Sequence, residues 1–300
     1  MRRSLVLAVV AACSSSSPDA PIASVDWAYP VNPTTTAPAV PLDLFTVPDP
    51  RPSDHGAMPE VVAHGRKPDV FACGFCHLPT GNGRPENAAL AGLPREYIAS
   101  QMRHFRDGSR ASSIPGRLPT DAMLRSAKAA TDPEIAAAAD YFARQRHRSF
   151  VRVVEADTIP KTIVAGWIYR RDPAGGTEPL GRRIVEMPDD IERFERRDPE
   201  TAYTAYVPPG SVALGQRLAR GWGPSGTFAC SACHGVDLRG VANIPPIAGR
   251  SPTYLVRQLR DLQTGARRGS DAALMSPVVK DMTPDDMIAL AAFLASRMTP

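Results

Sequence analysis

Five cysteines are the residues best suited to chemistry in this chain of 300 residues, and four of them stand in two matching frames. Residues 71–77 read F-A-C-G-F-C-H, and residues 228–234 read F-A-C-S-A-C-H. In C-x-x-C-H the two thiols share one turn, where they add across the two vinyl groups of a haem, and the adjacent histidine reaches the iron. The frames predict two covalent haem c groups. The predicted attachment residues are Cys73, Cys76, Cys230 and Cys233, with His77 and His234 as iron ligands.

Other uses of paired cysteines fit this pattern less well. Two short disulfides or a redox-active dithiol would leave the histidine after each pair without a purpose. Zinc ribbons place their cysteine pairs about 15–20 residues apart, whereas these pairs lie 157 residues apart. Haem attachment also explains how a chain with only 6% aromatic residues fills two cores.

An internal repeat extends beyond the two frames and indicates two small helical domains. Apolar residues recur at helical spacing after each frame, and Gly108 and Gly265 stand where these helices are expected to end. Thr131 and Thr283 are predicted N-caps of an Ala/Leu-rich last helix in each domain.

Haem iron needs a second axial ligand or an open site, and this choice separates electron transfer from catalysis. Met123 and Met275 each lie eight residues before the capping threonine, in what we expect to be a loop, and their matched register predicts that they are the ligands. Met102 is predicted to be a core residue, and Met282 and Met287 are weaker candidates because they lie by or in the last helix of the second domain without equivalents in the first. Four histidines could in principle replace a methionine, but we expect structural or exposed roles for them: His55, His64, His104 and His147.

Between the two repeats, residues 151–210 carry 20 charges, of which 9 are basic and 11 acidic. Residues 151–154 and 162–169 favour β-structure, and two adjacent glycines at 175–176 indicate a turn. The apolar content is too high for disorder. We expect an ordered segment that contains a hairpin.

The N-terminus resembles an export signal. Arg2 and Arg3 precede a short apolar stretch, and Val10-Ala11-Ala12-Cys13 resembles a bacterial lipobox, in which the cysteine is lipidated. Cleavage by ordinary signal peptidase is the alternative. The Ser/Pro/Thr-rich stretch that follows is typical of an extended tether. We therefore expect a periplasmic location, lipid-anchored through Cys13 or otherwise soluble.

Charge and hydropathy exclude two classes of partner. The net charge of +4 comes from 35 basic and 31 acidic residues without a dense basic tract, which argues against nucleic acid. Beyond residue 13 the sequence has no apolar run long enough to span a bilayer.

Taken together, these motifs resemble the tandem dihaem class I cytochromes c, in which two monohaem domains are fused. The resemblance covers about 190 residues and implies an all-α fold, with two cytochrome c domains in tandem joined by an extended, partly β segment. It implies five parts: a signal peptide (1–12), a tether (13–52), a first domain (53–150), an interdomain segment (151–210) and a second domain (211–300). It also implies electron transfer with a dehydrogenase, an oxidase or another cytochrome, and no catalysis.

One departure from the family and one alternative function remain open. Members often carry a proline whose carbonyl orients the ligating histidine; Pro245 and Pro246 suit this role, whereas the first domain has Ala88 and Ala89. A carbonyl is still expected to serve there. The alternative is a dihaem enzyme, such as a peroxidase or a thiosulfate-oxidising cytochrome, with one iron open to substrate.

Overall fold

The computed structural model describes residues 43–165, 167–221 and 229–297. The first helical domain contains a 3-10 turn (Pro52–Asp54), α1 (Glu60–Ala63), α2 (Cys73–His77), α3 (Arg95–Arg106), α4 (Leu118–Ala129) and α5 (Asp132–Arg144). The segment that follows contains β1 (Val151–Glu155), β2 (Thr158–Pro160), β3 (Thr162–Ala165), β4 (Ile168–Arg171), β5 (Thr177–Pro179), β6 (Val185–Pro188), α6 (Ile191–Glu195) and β7 (Tyr203–Val207). The second helical domain contains α7 (Ser211–Ala219), α8 (Cys230–His234), α9 (Pro252–Gln263), a 3-10 turn (Ser270–Ala272), α10 (Ser276–Val279) and α11 (Pro284–Ser296).

The predicted helix boundaries are confirmed by their local chemistry. Thr131 and Thr283 each form a capping box with the acidic residue three positions later, at the starts of α5 and α11. Gly108 and Gly265 both have a φ of 74° and follow the ends of α3 and α9. This left-handed conformation is open to glycine at little cost, so each helix ends where the sequence predicts.

The segment between the helical domains corrects the all-α expectation, although its partly β character is confirmed. We call residues 151–207 the insert. Its β7 pairs in parallel with β1 and antiparallel with β6. Two further antiparallel pairs join β2 to β5 and β3 to β4. β-Branched and aromatic residues fill these strands, and such side chains pack best on a pleated surface.

The insert is packed onto the second helical domain. Ile184 and Val207 are buried in one cluster with Leu290 and Phe293 of α11, and Val153 packs against this cluster. The insert therefore shares a core with the second domain, which excludes a mobile linker.

The two helical domains also meet directly. The loops after α3 and α9 form an antiparallel bridge between Arg110 and Arg267, positions that are 157 residues apart like the two frames. The Ala111 amide donates to the Ala266 carbonyl at 2.8 Å. Equivalent loops thus face each other across a pseudo-twofold arrangement.

Close packing of α7 on α11 gives the first testable prediction. A Cβ on Gly215 would lie 1.9 Å from the Ala289 carbonyl oxygen, so the helices can approach this closely only with glycine. Gly215→Ala is expected to lower the free energy of unfolding by about 3 kcal/mol, the upper range for overpacking. Urea unfolding would measure this. Gly56→Ala is the control, because a Cβ there meets nothing within 4 Å; equal effects would contradict the prediction.

Candidate functional site

A cavity in the first helical domain brings together the residues predicted to bind the first haem. Cys73, Cys76, His77 and Met123 all line it, among apolar side chains of α3, α4 and α5. The space between these side chains is about 1410 Å³ and includes solvent at its open mouth. A large, flat, apolar group fits such a space.

His77 is held in the orientation that a metal ligand requires. Its Nδ1 lies 2.8 Å from the Ala88 carbonyl oxygen, so Nδ1–H donates there and the Nε2 lone pair stays free. Burial lowers the pKa of His77, which keeps the imidazole neutral and able to bind a metal. The expectation that a carbonyl serves in the first domain without proline is confirmed.

The second site repeats this arrangement. His234 Nδ1 lies 2.8 Å from the Pro245 carbonyl oxygen, at the same spacing of eleven residues, and burial lowers the pKa of His234. Cys230 is half-buried against the second core, and burial raises the pKa of its thiol. Met275 directly precedes α10 and packs against the same core. Residues 222–228, including the Phe228 of the frame, lie outside the described residues.

The placement of Met123 differs from the expectation. It lies within α4, not in a loop, because the Leu118-Pro119 start and the alanines that follow favour a helix. Its side chain lines the cavity together with that of Met102. Met102 also packs against the first core, as expected, whereas Met123 is outside that cluster. Of the two methionines, Met123 is the one that lines the cavity without belonging to the first core cluster.

Three arginines at the cavity were not identified from the sequence. Arg110, Arg117 and Arg257 line it, and burial lowers the pKa of each. Glu86 lines the same wall, but Arg84 Nε lies 3.2 Å from its carboxylate. Buried cations need an anionic partner. The two carboxylates of a haem would supply it, so the cavity suits a haem in charge as well as in its mainly apolar lining.

Arg257 lies on α9, so the second helical domain forms part of the wall of the first cavity. At this boundary Arg110 donates to the Gln101 and Gln258 side-chain oxygens, both at 2.9 Å. Arg267 donates to the same two oxygens at 2.9 and 3.1 Å. Tyr97 and Tyr254 extend the network symmetrically. The sequence contains a signal for this network that was missed: its arginines, its glutamines and its tyrosines each occur as a pair 157 residues apart.

The four rival histidines do not line the first cavity. His55 lies 3.2 Å from Asp49, and His64 is exposed at the end of α1. The His104 ring lies 2.9 Å from the Ser109 hydroxyl and packs on Gly269 of the second domain. His147 donates through Nε2 to the Gly249 carbonyl at 3.2 Å. These four side chains are hydrogen-bonded or exposed at these positions, and that none of them is an iron ligand stays a prediction.

His147 gives a pH-dependent prediction. Burial and the neighbouring Arg250 lower its pKa to about 3, from 6.5 in the unfolded chain. Below pH 6.5 the unfolded chain therefore takes up a proton that the folded chain does not, and the free energy of unfolding falls. His147→Gln keeps a donor but does not titrate. Relative to this variant, the native protein should lose up to about 1.4 kcal/mol per pH unit between pH 6.5 and 4. Urea unfolding at several pH values would measure this; a difference independent of pH would contradict it.

The described residues also bear on the alternatives for the cysteines. Within the described residues, the four cysteines of the two frames form no disulfide bond. Within residues 43–165, 167–221 and 229–297, no group of three or more His, Cys, Asp or Glu is arranged to hold a metal ion. Neither the disulfide nor the shared zinc alternative is supported.

Several N-terminal predictions lie outside the described residues: the signal peptide (1–12), Cys13 and most of the tether (13–52). In the part of the chain that the structure covers, the helices are too short and too polar to cross a membrane.

Comparison with known proteins identifies the family. Residues 212–297 match the family model for cytochrome c. The thiosulfate dehydrogenase electron acceptor of Thiomonas intermedia is 27% identical over 235 residues, which cover 77% of this chain and 80% of that protein. The cytochrome c-554(548) of Halomonas halodenitrificans is 39% identical over 69 residues, which cover 23% of this chain and 83% of that protein.

A solved structure of cytochrome c4 from Acidithiobacillus ferrooxidans superimposes with a TM-score of 0.50 at 23% identity, over 75% of this chain and 98% of that one. At this identity the likeness shows the fold alone. The matches in sequence, the fold and the two repeated frames all indicate the same family. The chain belongs to the cytochrome c family, as a tandem member that carries two covalently bound haem c groups.

Proposed function

We propose that this protein is an exported electron carrier that passes single electrons between redox proteins through two haems with His/Met ligation. The observation that carries the proposal is the cavity in which the oriented, neutral His77 and the thioether of Met123 line one space with both cysteines. When bound, haem iron takes up and releases one electron between Fe(III) and Fe(II). Two protein ligands on one iron leave no position for a substrate.

The residues of the chain have separate tasks in this function. Cys73 and Cys76 fasten the first haem, and Cys230 and Cys233 fasten the second. The histidines are kept neutral by burial, and their tautomer is set by the carbonyls that accept from Nδ1. A methionine sulfur is a soft ligand that favours Fe(II) and raises the potential. The buried arginines neutralise the haem carboxylates.

The relatives suggest the class of electron donor. Because a relative that aligns over most of this chain is named an electron acceptor of thiosulfate dehydrogenase, we extend that role to this protein. A dehydrogenase that oxidises an inorganic sulfur compound would then donate the electrons. An oxidase or another cytochrome would accept them.

The N-terminal sequence supports a location on the periplasmic side of a bacterial membrane. A charged start, an apolar stretch and the lipobox-like Val10-Ala11-Ala12-Cys13 would attach the protein through a lipid on Cys13. Mass spectrometry of the protein isolated from membranes would test this. A mature N-terminus at residue 13 that bears a diacylglycerol supports it, and an unmodified cysteine overturns it.

Absorption spectra of the haem-loaded protein test the electron-transfer function. We expect two covalent haems that are low-spin in both redox states, show a Met–Fe(III) charge-transfer band and ignore carbon monoxide. A high-spin fraction that binds carbon monoxide would overturn this. It would favour a dihaem enzyme, with peroxide and thiosulfate as the first substrates to test.

A further inference from the structure

The two C-x-x-C-H helices differ sharply in exposure, although every position in α2 has a counterpart in α8 157 residues later. Phe75 is only 2% exposed, whereas its counterpart Ala232 is exposed. Cys76 is half-buried, whereas Cys233 is exposed. Val236, two residues after the second histidine, is 91% exposed. Because α2 and α8 are equivalent elements of the repeat, their difference in exposure must come from parts of the chain outside the repeat.

The insert supplies part of this cover. The Arg197 guanidinium lies 3.7 Å from the centre of the Phe75 ring and donates to the Phe75 carbonyl at 2.6 Å. Arg197 is itself buried. In the opposite direction, the Arg84 guanidinium of the first domain lies 3.7 Å from the centre of the Phe194 ring in the insert. Two reciprocal cation–π contacts therefore hold the α6 end of the insert over α2.

The chain before α1 completes the cover. The Leu44 carbonyl accepts from the Ala72 amide at 2.9 Å, immediately before α2. Arg51 then pairs with Asp198 at 2.7 Å and with Glu200 at 3.0 Å, both in the insert. The N-terminal segment and the insert are joined to each other over the helix that carries Cys73 and Cys76.

We propose that the insert insulates the first haem, so that external redox proteins exchange electrons at the second haem and reach the first only through it. This inference rests on the proposed function. Thioether bonds to Cys73 and Cys76 on α2, and to Cys230 and Cys233 on α8, would hold a haem beside each helix, and electron transfer falls steeply with distance. A layer of protein over α2 therefore slows direct exchange there. The same layer is not found over α8 in the described residues.

The exposed surface at the second site indicates what kind of partner approaches. Val236, Val241 and Leu274 are exposed apolar side chains, and they stand in sequence close to His234 and Met275. Exposed apolar side chains of this kind suit a redox protein whose own cofactor edge is surrounded by uncharged residues. We call these three side chains, grouped by their positions in the sequence beside His234 and Met275, the second-haem port.

A charge placed in the second-haem port tests the proposal. The oxidised, haem-loaded protein would be mixed anaerobically with excess flavodoxin hydroquinone, which gives one electron to each haem iron and becomes the semiquinone. Val236→Glu should slow the reduction of both haems by the same factor, several-fold, because the acidic donor is repelled. Val164→Glu in the insert is the control; this side chain is 69% exposed and should leave the rate unchanged.

Two outcomes of this experiment overturn the proposal. If half or all of the haem absorbance change in Val236→Glu keeps the native rate, the first haem has its own access. If the native protein self-associates and Val236→Glu abolishes this, the port is an interface between two copies. Failure of this inference can be distinguished from failure of the proposed electron-transfer function, because only the latter would make the native protein bind carbon monoxide.

A measurement of solvent access needs no electron donor. A soluble gadolinium chelate added to the oxidised native protein should broaden the NMR resonances of the methyl groups on the second haem and not those on the first; equal broadening overturns the proposal. Arg197→Gln should expose the first haem to the chelate. Arg196→Gln, next to it and largely exposed, should not. Sharp first-haem resonances in Arg197→Gln would show that the insert is not the insulator.

Discussion

Replacing Met123 by alanine is expected to make the first haem iron bind carbon monoxide to near-full occupancy, which the native protein does not do. Its thioether lines the cavity that His77 also lines, and Met123 has no place in the first core. Removing it opens one axial position and leaves the helix intact, because alanine is a good helix former. Reduced minus carbon monoxide difference spectra would measure the effect. The first potential should also fall, since methionine favours Fe(II).

Met102, on α3, provides a matched control. It lines the same cavity, but it also packs against the first core. Met102→Ala should cost stability, by less than the roughly 2–5 kcal/mol of a fully buried methionine because Met102 is half-buried, and should leave the iron closed to carbon monoxide. The reverse pattern, with carbon monoxide binding in Met102→Ala only, would assign the ligand to α3. Met275→Ala should open the second iron in the same way.

Local chemistry accounts for the features that were predictable from the sequence. The C-x-x-C-H frames, the capping threonines and the glycines after α3 and α9 each act within a few residues, so a linear pattern records them. The carbonyl that accepts from His77 is also close, eleven residues along the chain. Ala88 serves as well as Pro245, because the acceptor is a backbone oxygen and not a side chain.

Long-range packing accounts for what was missed. The matched positions of Met123 and Met275 predict a loop for both. The first domain instead has a full helix, α4, where the second has only the four residues of α10. The contact of Arg197 with Phe75 joins residues 122 positions apart. Nothing in either local pattern points to the other, so the cover over α2 emerges only from the fold.

The contacts between the two helical domains were only partly predictable from the sequence. Their arginines, glutamines and tyrosines occur at one common offset in the repeat, so the sequence contained the signal. What it could not show is that the two copies of the loop face each other. Once they do, Arg110 and Arg267 lie side by side and share the same acceptors, Gln101 and Gln258. This makes the boundary a place where one substitution affects both domains.

Arg110→Gln is expected to lower the potential of the first haem by an amount on the order of tens of millivolts. Arg110 is buried and lines the first cavity, and a buried cation favours the reduced, less positive iron. The free energy of unfolding should fall by about 2 kcal/mol, since the Tyr254 hydroxyl loses its donor. The two glutamine oxygens keep the hydrogen bonds from Arg267, which limits the loss. A spectroscopic redox titration would resolve the two haems.

Arg103→Gln is the matched control, because it removes the same charge from the exposed side of α3. Solvent and salt screen an exposed charge, so its effect on the potential should be much smaller and should vanish at high ionic strength. The effect of Arg110→Gln should persist there. If both variants shift the first potential equally, the buried position of Arg110 has no bearing on the iron. If Arg110→Gln shifts only the second potential, Arg110 acts through the pair with Arg267, and the two haems are coupled across the domain boundary by charge.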